Sequence, residues 1–271
     1  MPRSTELEFQ NRSKLSLVFI DSLLMIKRSS THILRNTDQL LGAFFQPIMF
    51  LVLFASVFGG SIEQSLPDGI SYINFLMAGI IVQTVAFGST TTALAVTNDL
   101  KKGIIDRFRS LPMSNLAVLN GHVISDIFRN TISTTVMLVS GYVIGFRPEA
   151  GFVGWIGIAG ILLLFTFAFS WLSAIIGVLA KSVEAVQWLT FVMIFPLTFA
   201  SSAFTPTDGM GKYLKIFAEN QPITQVVEAI RALILGTPTE DYIWKSILWC
   251  LLILIVAIPT ASYLFRTKTV E

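Results

Sequence analysis

Asp99-Leu-Lys-Lys-Gly-Ile-Ile-Asp-Arg-Phe-Arg-Ser-Leu-Pro-Met-Ser114 is a short, charged, helix-capable insert between two long apolar segments. Ile104, Ile105, Phe108 and Leu111 recur at helical spacing, and Lys101, Lys102, Asp106, Arg107 and Arg109 occupy the rest of the surface. Pro112 stops the helix. A loop that only joins two spans needs a few polar and turn-forming residues, so a patterned helix here points to a surface made to fit something in the cytosol. The same pattern also admits an interfacial helix resting on lipid headgroups.

The flanks decide the solvent. Of 271 residues, 53% are hydrophobic and 13% charged, and the mean hydropathy is +0.70. Most of such a chain lies in lipid, and no stretch between the apolar runs is long enough to close a core of its own. The expectation is an all-α integral membrane protein with a cytosolic tail and interfacial helix over 1–36 and one transmembrane domain over 37–271. A net charge of +2 with the basic residues confined to particular loops argues against nucleic acid as a partner. Cys250 is the single cysteine and lies in an apolar run, so it is assigned to packing. His32 and His122 have no Cys, Asp or Glu at ligand spacing, so no metal site is expected. Leu15 to Ile26 runs into Lys27-Arg28 where a signal peptide needs small residues, so the start of the chain is expected to be retained.

A helix needs about 20 mostly apolar residues to span the hydrocarbon core. Six segments fit: Leu40 to Phe58, ending at Gly59-Gly60; Tyr72 to Thr97; Leu116 to Phe146; Phe152 to Ala180; Val183 to Phe204; and Ile243 to Phe265. Leu15 to Ile26 is shorter, is flanked by charge and reads as an amphipathic helix along the membrane surface. Arg3, Arg12, Lys14, Lys27, Arg28 and Arg35 precede the first span; Lys101, Lys102, Arg107 and Arg109 follow the second; Lys181 follows the fourth; Arg266 and Lys268 follow the sixth. Opposite them the short loops carry only Arg147, so both termini and the insert over 99–112 are expected in the cytosol.

The connection over 205–242 is then external, and its Lys212, Lys215 and Arg231 weigh less because long loops cross largely regardless of charge. It holds two apolar helical runs, Tyr213 to Phe217 and Val226 to Leu235, with Asn220-Gln-Pro222 as a cap and first-turn proline and Gly236 and Pro238 as a stop. Both are read as re-entrant outer helices, which protein must shield, so they roof the outer mouth of a pathway.

Motifs for chemistry are missing. Gly209-Met-Gly211-Lys212 fails as a phosphate loop, because Pro206 stands where the leading glycine is required and Tyr213 where a hydroxyl must meet magnesium. With no nucleophile elbow, paired carboxylates or metal motif, the chain reads as a transport subunit and not an enzyme, with no catalytic residue and no cofactor of its own. Asp126 and Arg129, one helical turn apart in the third span, answer each other. They are read either as a proton or substrate site or as a structural pair near the cytosolic end; the second is preferred, since no other acid lies deep in the spans. Gly141-Tyr-Val-Ile-Gly145 and Ser173 with Gly177 are small-xxx-small matches, read as close packing within one subunit in preference to a dimer seam. Phe191, Phe195, Pro196, Phe199 and Phe204 make the end of the fifth span aromatic and broken, and Phe195, Pro196, Phe199 and Phe204 are the candidates for a translocation path or gate.

These features resemble a known family. Gly103, Asp106-Arg107-Phe108-Arg109 and Leu111-Pro112 resemble the cytosolic coupling segment of type-2 ABC exporter permeases of the daunorubicin-resistance branch, which export drugs and lipids. Phe195-Pro196, Phe217-Ala-Glu-Asn-Gln-Pro222 and Arg231-Ala-Leu-Ile-Leu-Gly236 are similar to the same family's fifth span, re-entrant outer helices and Asn-x-Pro turn. Gly211 departs from the proline expected after the outer methionine. The resemblance implies a half-transporter of the bacterial plasma membrane, multi-pass, in which two permeases, identical or paired with a sister permease, bind two copies of a separate ABC ATPase that carries ATP and Mg. It makes Leu15 to Ile26 the connecting helix. It also makes Gly103, Ile104, Ile105, Arg107, Phe108, Arg109 and Leu111 the surface that couples to the ATPase. Its substrates are hydrophobic or amphipathic drugs, natural products or lipids, and antibiotic resistance is the associated phenotype. The alternatives are a permease for a lipid-linked polysaccharide, which wants a channel rich in Trp and Tyr; a secondary transporter, which wants inverted repeats and intramembrane acids; and a structural membrane protein, which needs no coupling insert.

Overall fold

The computed structural model describes residues 37–67, 69–102, 115–239 and 241–268, with side chains described from Phe45 in the first helix and from Val118 in the helix that begins at Asn115. The tail over 1–36 with its amphipathic helix, and Gly103 to Leu111, lie outside the described residues. Among those described, every regular element is helical: α1 Thr37–Glu63, α2 Tyr72–Gly88, α3 Thr90–Lys101, α4 Asn115–Ile144, α5 Phe152–Leu179, α6 Val183–Phe199, a 3-10 turn Thr207–Gly209, α7 Lys212–Asn220, α8 Pro222–Leu235 and α9 Tyr242–Lys268.

Among the described residues, four stretches are long and apolar enough to cross a bilayer: Phe45–Glu63, Tyr72–Lys101, Phe152–Leu179 and Tyr242–Lys268. Helix α4 has 30 residues, about 45 Å at 1.5 Å per residue, but carries His122, Asp126, Arg129 and a run of hydroxyls. Helix α6 has 17 residues. Two of the four stretches form the centre: 72% of the Tyr72–Lys101 window and 67% of the Phe152–Leu179 window are buried, against 11% for α1 and 22% for α9. Helices α1 and α9 thus turn apolar side chains such as Phe45, Val57, Ile255 and Val256 outward, as lipid-facing helices do. The bundle closes at the chain end through Lys268 Nζ, which donates to the carbonyls of Val178 (2.6 Å) and Leu179 (2.9 Å) in the last turn of α5.

Several boundaries depart from expectation. Helix α1 runs through Gly59-Gly60 to Glu63, because apolar context and open space around Gly60 leave nothing to stop it. The second segment is two helices broken at Ser89. Thr92 N turns back to Ser89 O (3.0 Å), an i−3 bond that leaves the Gly88 carbonyl to other donors. Helix α6 passes Pro196 and ends at Phe199 and not at Phe204, because Ala200 leaves helical geometry at φ −91 and ψ 49.

Small residues set the closest approaches. Ser173 and Gly177 seat α5 on α3: a Cβ on Gly177 would lie 2.6 Å from Ala93 O, Thr97 donates to Gly177 O (2.7 Å), and Ser89 and Ser173 share a bond of 2.8 Å. This motif packs within the subunit, as read from sequence. The Gly141–Gly145 match divides: Gly141 meets the Met77 side chain, while Gly145 has φ +116 and ends α4 in a turn that L side chains rarely adopt. That glycine serves the backbone and not a helix–helix seam.

Candidate functional site

Two adjoining recesses open between α1, α2, α3, α4 and α6. One, of about 200 Å³, is lined by residues that include Gln46, Pro47, Thr84, Gly88, Thr91, Arg129, Asn130 and Ser133. The other, of about 220 Å³, includes Thr90, Gln187, Thr190, Phe191, Phe195 and Phe199. Gln46, Phe50, Gln83 and Phe87 border both, so the two form one cleft.

The aromatic wall follows from helical spacing. Ser182 caps α6, accepting from Ala185 N (3.0 Å). Phe191, Phe195 and Phe199 then recur every four residues and stack on one face. Ring centroids are 4.9 Å apart for Phe191 and Phe195, 4.2 Å for Phe195 and Phe199, 4.9 Å for Phe199 and Phe204, and 4.6 Å for Phe204 and Phe54. From Phe54 the ladder continues to Phe58 at 5.3 Å and Phe50 at 6.0 Å. It therefore crosses from α6 to α1, and offset rings at these separations attract beyond their burial. Of the residues singled out for a path, Phe195 and Phe199 line the cleft, Pro196 is exposed beside them, and Phe204 is buried as the crossing point.

The polar wall is built on α4. Asp126 and Arg129 form a buried ion pair; the Arg129 guanidinium also donates to the Gly88 carbonyl freed by the break at Ser89, and the Ser170 hydroxyl donates to Asp126. Thr91 Oγ1 gives Gly88 O a second donor at 2.6 Å. The pair thus clamps α4 to the α2–α3 break and to α5, and Arg129 lines the cleft as well.

Sequence reasoning missed a second buried cation. Arg231 on α8 reads in sequence as a charge of the external connection, yet it is 4% exposed. Its Nε donates to Phe75 O (3.2 Å), its Nη2 to Ser202 O (2.7 Å) and its Nη1 to Glu228, while the guanidinium lies 3.5 Å over the Phe75 ring. Burial is the largest influence on Arg231 and lowers its pKa, opposed by the Glu228 carboxylate. Gln221, the N-cap of α8, donates to Leu197 O (2.6 Å) and Ala200 O (3.2 Å), and Tyr72 OH donates to Phe204 O (3.0 Å). Four of the carbonyls left where α6 unwinds, those of Leu197, Ala200, Ser202 and Phe204, are therefore met by side chains from α2 or the start and body of α8. The signal available in sequence was an arginine within the apolar run Val226 to Leu235. Within the expected Asn220-Gln-Pro222 start the cap is Gln221, with Pro222 at the first helical position and Gly236 at φ +64 as the stop.

At the other end of the molecule, only the start of the charged insert is described. Asp99 to Lys101 continue α3, and Asp99 is buried against His122 Nε2 on α4 at 3.0 Å. The coupling candidates Gly103, Ile104, Ile105, Arg107, Phe108, Arg109 and Leu111 lie outside the described residues.

Comparison with known proteins bears directly on this arrangement. The chain is 30% identical over 233 residues to the daunorubicin resistance ABC transporter permease protein DrrB1 of Streptomyces coeruleorubidus, covering 85% of this chain and 80% of that protein. It is 25% identical over 264 residues to the probable doxorubicin resistance ABC transporter permease protein DrrC of Mycobacterium tuberculosis, covering 96% and 93%. It is 27% identical over 233 residues to the putative transport permease ycf38 of Cyanophora paradoxa, covering 83% and 78%. The model of the ABC-2 type transporter family matches residues 22–235, which takes in the ladder, the ion pair and the outer helices, and the chain belongs to that family.

Proposed function

We propose that this permease is the membrane half of an exporter that carries hydrophobic or amphipathic molecules out of the cytosol or the inner leaflet. A separate ABC ATPase carries ATP and Mg and drives it. The observation that carries the reading is the ring ladder from Phe191 to Phe54 beside a cleft bordered by Gln46, Gln83 and Gln187. Such a wall accepts apolar bodies of varied shape with few fixed polar demands. Relatives named for daunorubicin and doxorubicin resistance support molecules of that kind as substrates. Exposed Trp188, Leu189 and Val192 on α6, and exposed Met49 and Leu53 on α1, support a second permease copy or a sister chain against these helices.

In this reading α1, the α2–α3 unit, α4, α5, α6 and α9 are six spans in the bacterial plasma membrane, α7 and α8 re-enter from outside, and both termini are cytosolic. Leu15 to Ile26 is the connecting helix and Gly103 to Leu111 enters a groove on the ATPase.

Phe108 is the largest apolar side chain on that segment, and buried aromatic anchors carry a large share of interface energy. Phe108→Ala is expected to weaken assembly with the ATPase by about 1–4 kcal/mol, or to uncouple hydrolysis from transport, with membrane insertion intact. Co-purification and daunorubicin transport at matched protein amounts measure both, and unchanged values in both assays return the segment to a lipid-resting helix.

Orientation is tested separately. In a Cys250→Ala background, single cysteines at Ser65 and Thr237 are expected to react with an impermeant thiol reagent in whole cells, and one at Ser110 to stay unlabelled. The reverse labelling inverts the topology.

A further inference from the structure

Two buried donors in the cleft have no partner among the described residues: Arg129 Nε and Asn130 Nδ2. Arg129 is 8% exposed and Asn130 2%, both line the recess of about 200 Å³, and burying an N–H unpaired costs free energy. The neighbours leave them unanswered. The nearby hydroxyls of Thr84 and Thr91 donate to Ile80 O (2.7 Å) and Gly88 O (2.6 Å), and neither accepts from Arg129 Nε or Asn130 Nδ2. Nor is the arginine free to move, because Asp126 and the Gly88 carbonyl hold its Nη2. Asn130 lies close against Gly88, where a Cβ would fall 2.1 Å from its Oδ1.

We propose that Arg129 and Asn130 form a headgroup site that binds an uncharged oxygen acceptor, a carbonyl, hydroxyl or ether, on an amphipathic molecule whose apolar body lies along the ring ladder. The proposal rests on the reading of the cleft as a path for apolar molecules and adds the polarity its occupant must have. Charge balance selects an uncharged group. Asp126 already neutralises Arg129, so an anion would bring an uncompensated charge into a low-dielectric site, while a cation would face the Arg129 guanidinium with no carboxylate in the lining to balance it. The recess of about 200 Å³ has room for one polar ring or a short oxygenated arm. The adjoining recess of about 220 Å³ receives the rest.

The test is equilibrium binding of 1-acetylpyrene and 1-ethylpyrene to the full chain, reconstituted with its ATPase in nanodiscs and read by probe fluorescence. The two probes share a shape and differ by one carbonyl oxygen. Wild type is expected to bind the ketone about three- to tenfold tighter, the range of one net hydrogen bond. Asn130→Leu, which keeps the volume, and Arg129→Lys, which keeps the charge opposite Asp126, are each expected to reduce that preference to within twofold. Unaltered 1-ethylpyrene binding in both variants shows that the cleft still forms.

Nanodiscs of ester-linked and ether-linked lipid separate the sources of the acceptor. A ketone preference in both assigns the site to the transported molecule; a preference in ether lipid alone assigns it to bilayer ester carbonyls, which compete in the other. Equal binding of the two probes to wild type in both lipids overturns the proposal, as does a preference that survives both substitutions. Loss of ATPase co-purification would instead count against the exporter reading, and it is scored independently of probe binding.

Discussion

Replacing Arg231 with methionine is expected to destabilise the protein by about 3 kcal/mol, the lower end of the cost of breaking a buried ion pair, because Glu228 keeps part of its side chain in solvent. The substitution strands three acceptors at once: the Glu228 carboxylate and the carbonyls of Phe75 and Ser202. It also removes the cation from the Phe75 ring. Arg231→Lys restores a charge opposite Glu228 but cannot direct donors to three acceptors from one planar fork, so its loss should fall between wild type and methionine. Unfolding monitored by SDS titration or by heating in detergent measures the difference. A methionine variant within 1 kcal/mol of wild type would show that the guanidinium does not hold the end of α6 to α2.

Gly79→Ala and Gly177→Ala are expected to lose about 3 kcal/mol or more, at the upper end of overpacking effects, although alanine is the better helix former at both positions. A Cβ on Gly79 would stand 2.0 Å from Ala203 O, and one on Gly177 2.6 Å from Ala93 O. Both obstacles are backbone, which cannot swing aside as the Met77 side chain can beside Gly141. Parting α2 from residues 200–204 would break the Tyr72–Phe204 bond and one side of the Arg231 bridge between Phe75 O and Ser202 O. Gly160→Ala on the same helix as Gly177 meets nothing within 4 Å and is expected to be neutral or stabilising by about 0.5–1 kcal/mol. Yields and unfolding midpoints of the three variants, compared in one detergent, decide the matter. Equal behaviour at positions 79, 177 and 160 would mean that the helices are not seated this closely.

Both predictions concern residues whose importance is invisible along the chain. In sequence, Gly79 is one more small residue in an apolar run, and Arg231 is a basic residue in a long external connection. Their roles come from partners far away: Arg231 and Phe75 are 156 positions apart. The ladder behaves likewise, since the spacing of Phe191, Phe195 and Phe199 is local, whereas the crossing from Phe204 to Phe54 joins the end of α6 to α1. The orphaned donors of Arg129 and Asn130 could not be anticipated either, because they depend on where α2 breaks and which carbonyl the break releases.

Other features needed no tertiary context. Lipid as solvent follows from composition, and the helix limits from Phe152 to Leu179 and from Pro222 to Gly236 follow from apolar length, a first-turn proline and a stop glycine. The Asp126–Arg129 pair and the seating of Ser173 and Gly177 were also legible, because i, i+3 and i, i+4 neighbours share a helix face wherever that helix goes. Transfer free energy and helix geometry act over one turn or one span, so a single stretch of chain carries them. The closeness of two backbones and the partner of a buried charge are properties of two stretches at once, and packing alone brings those together.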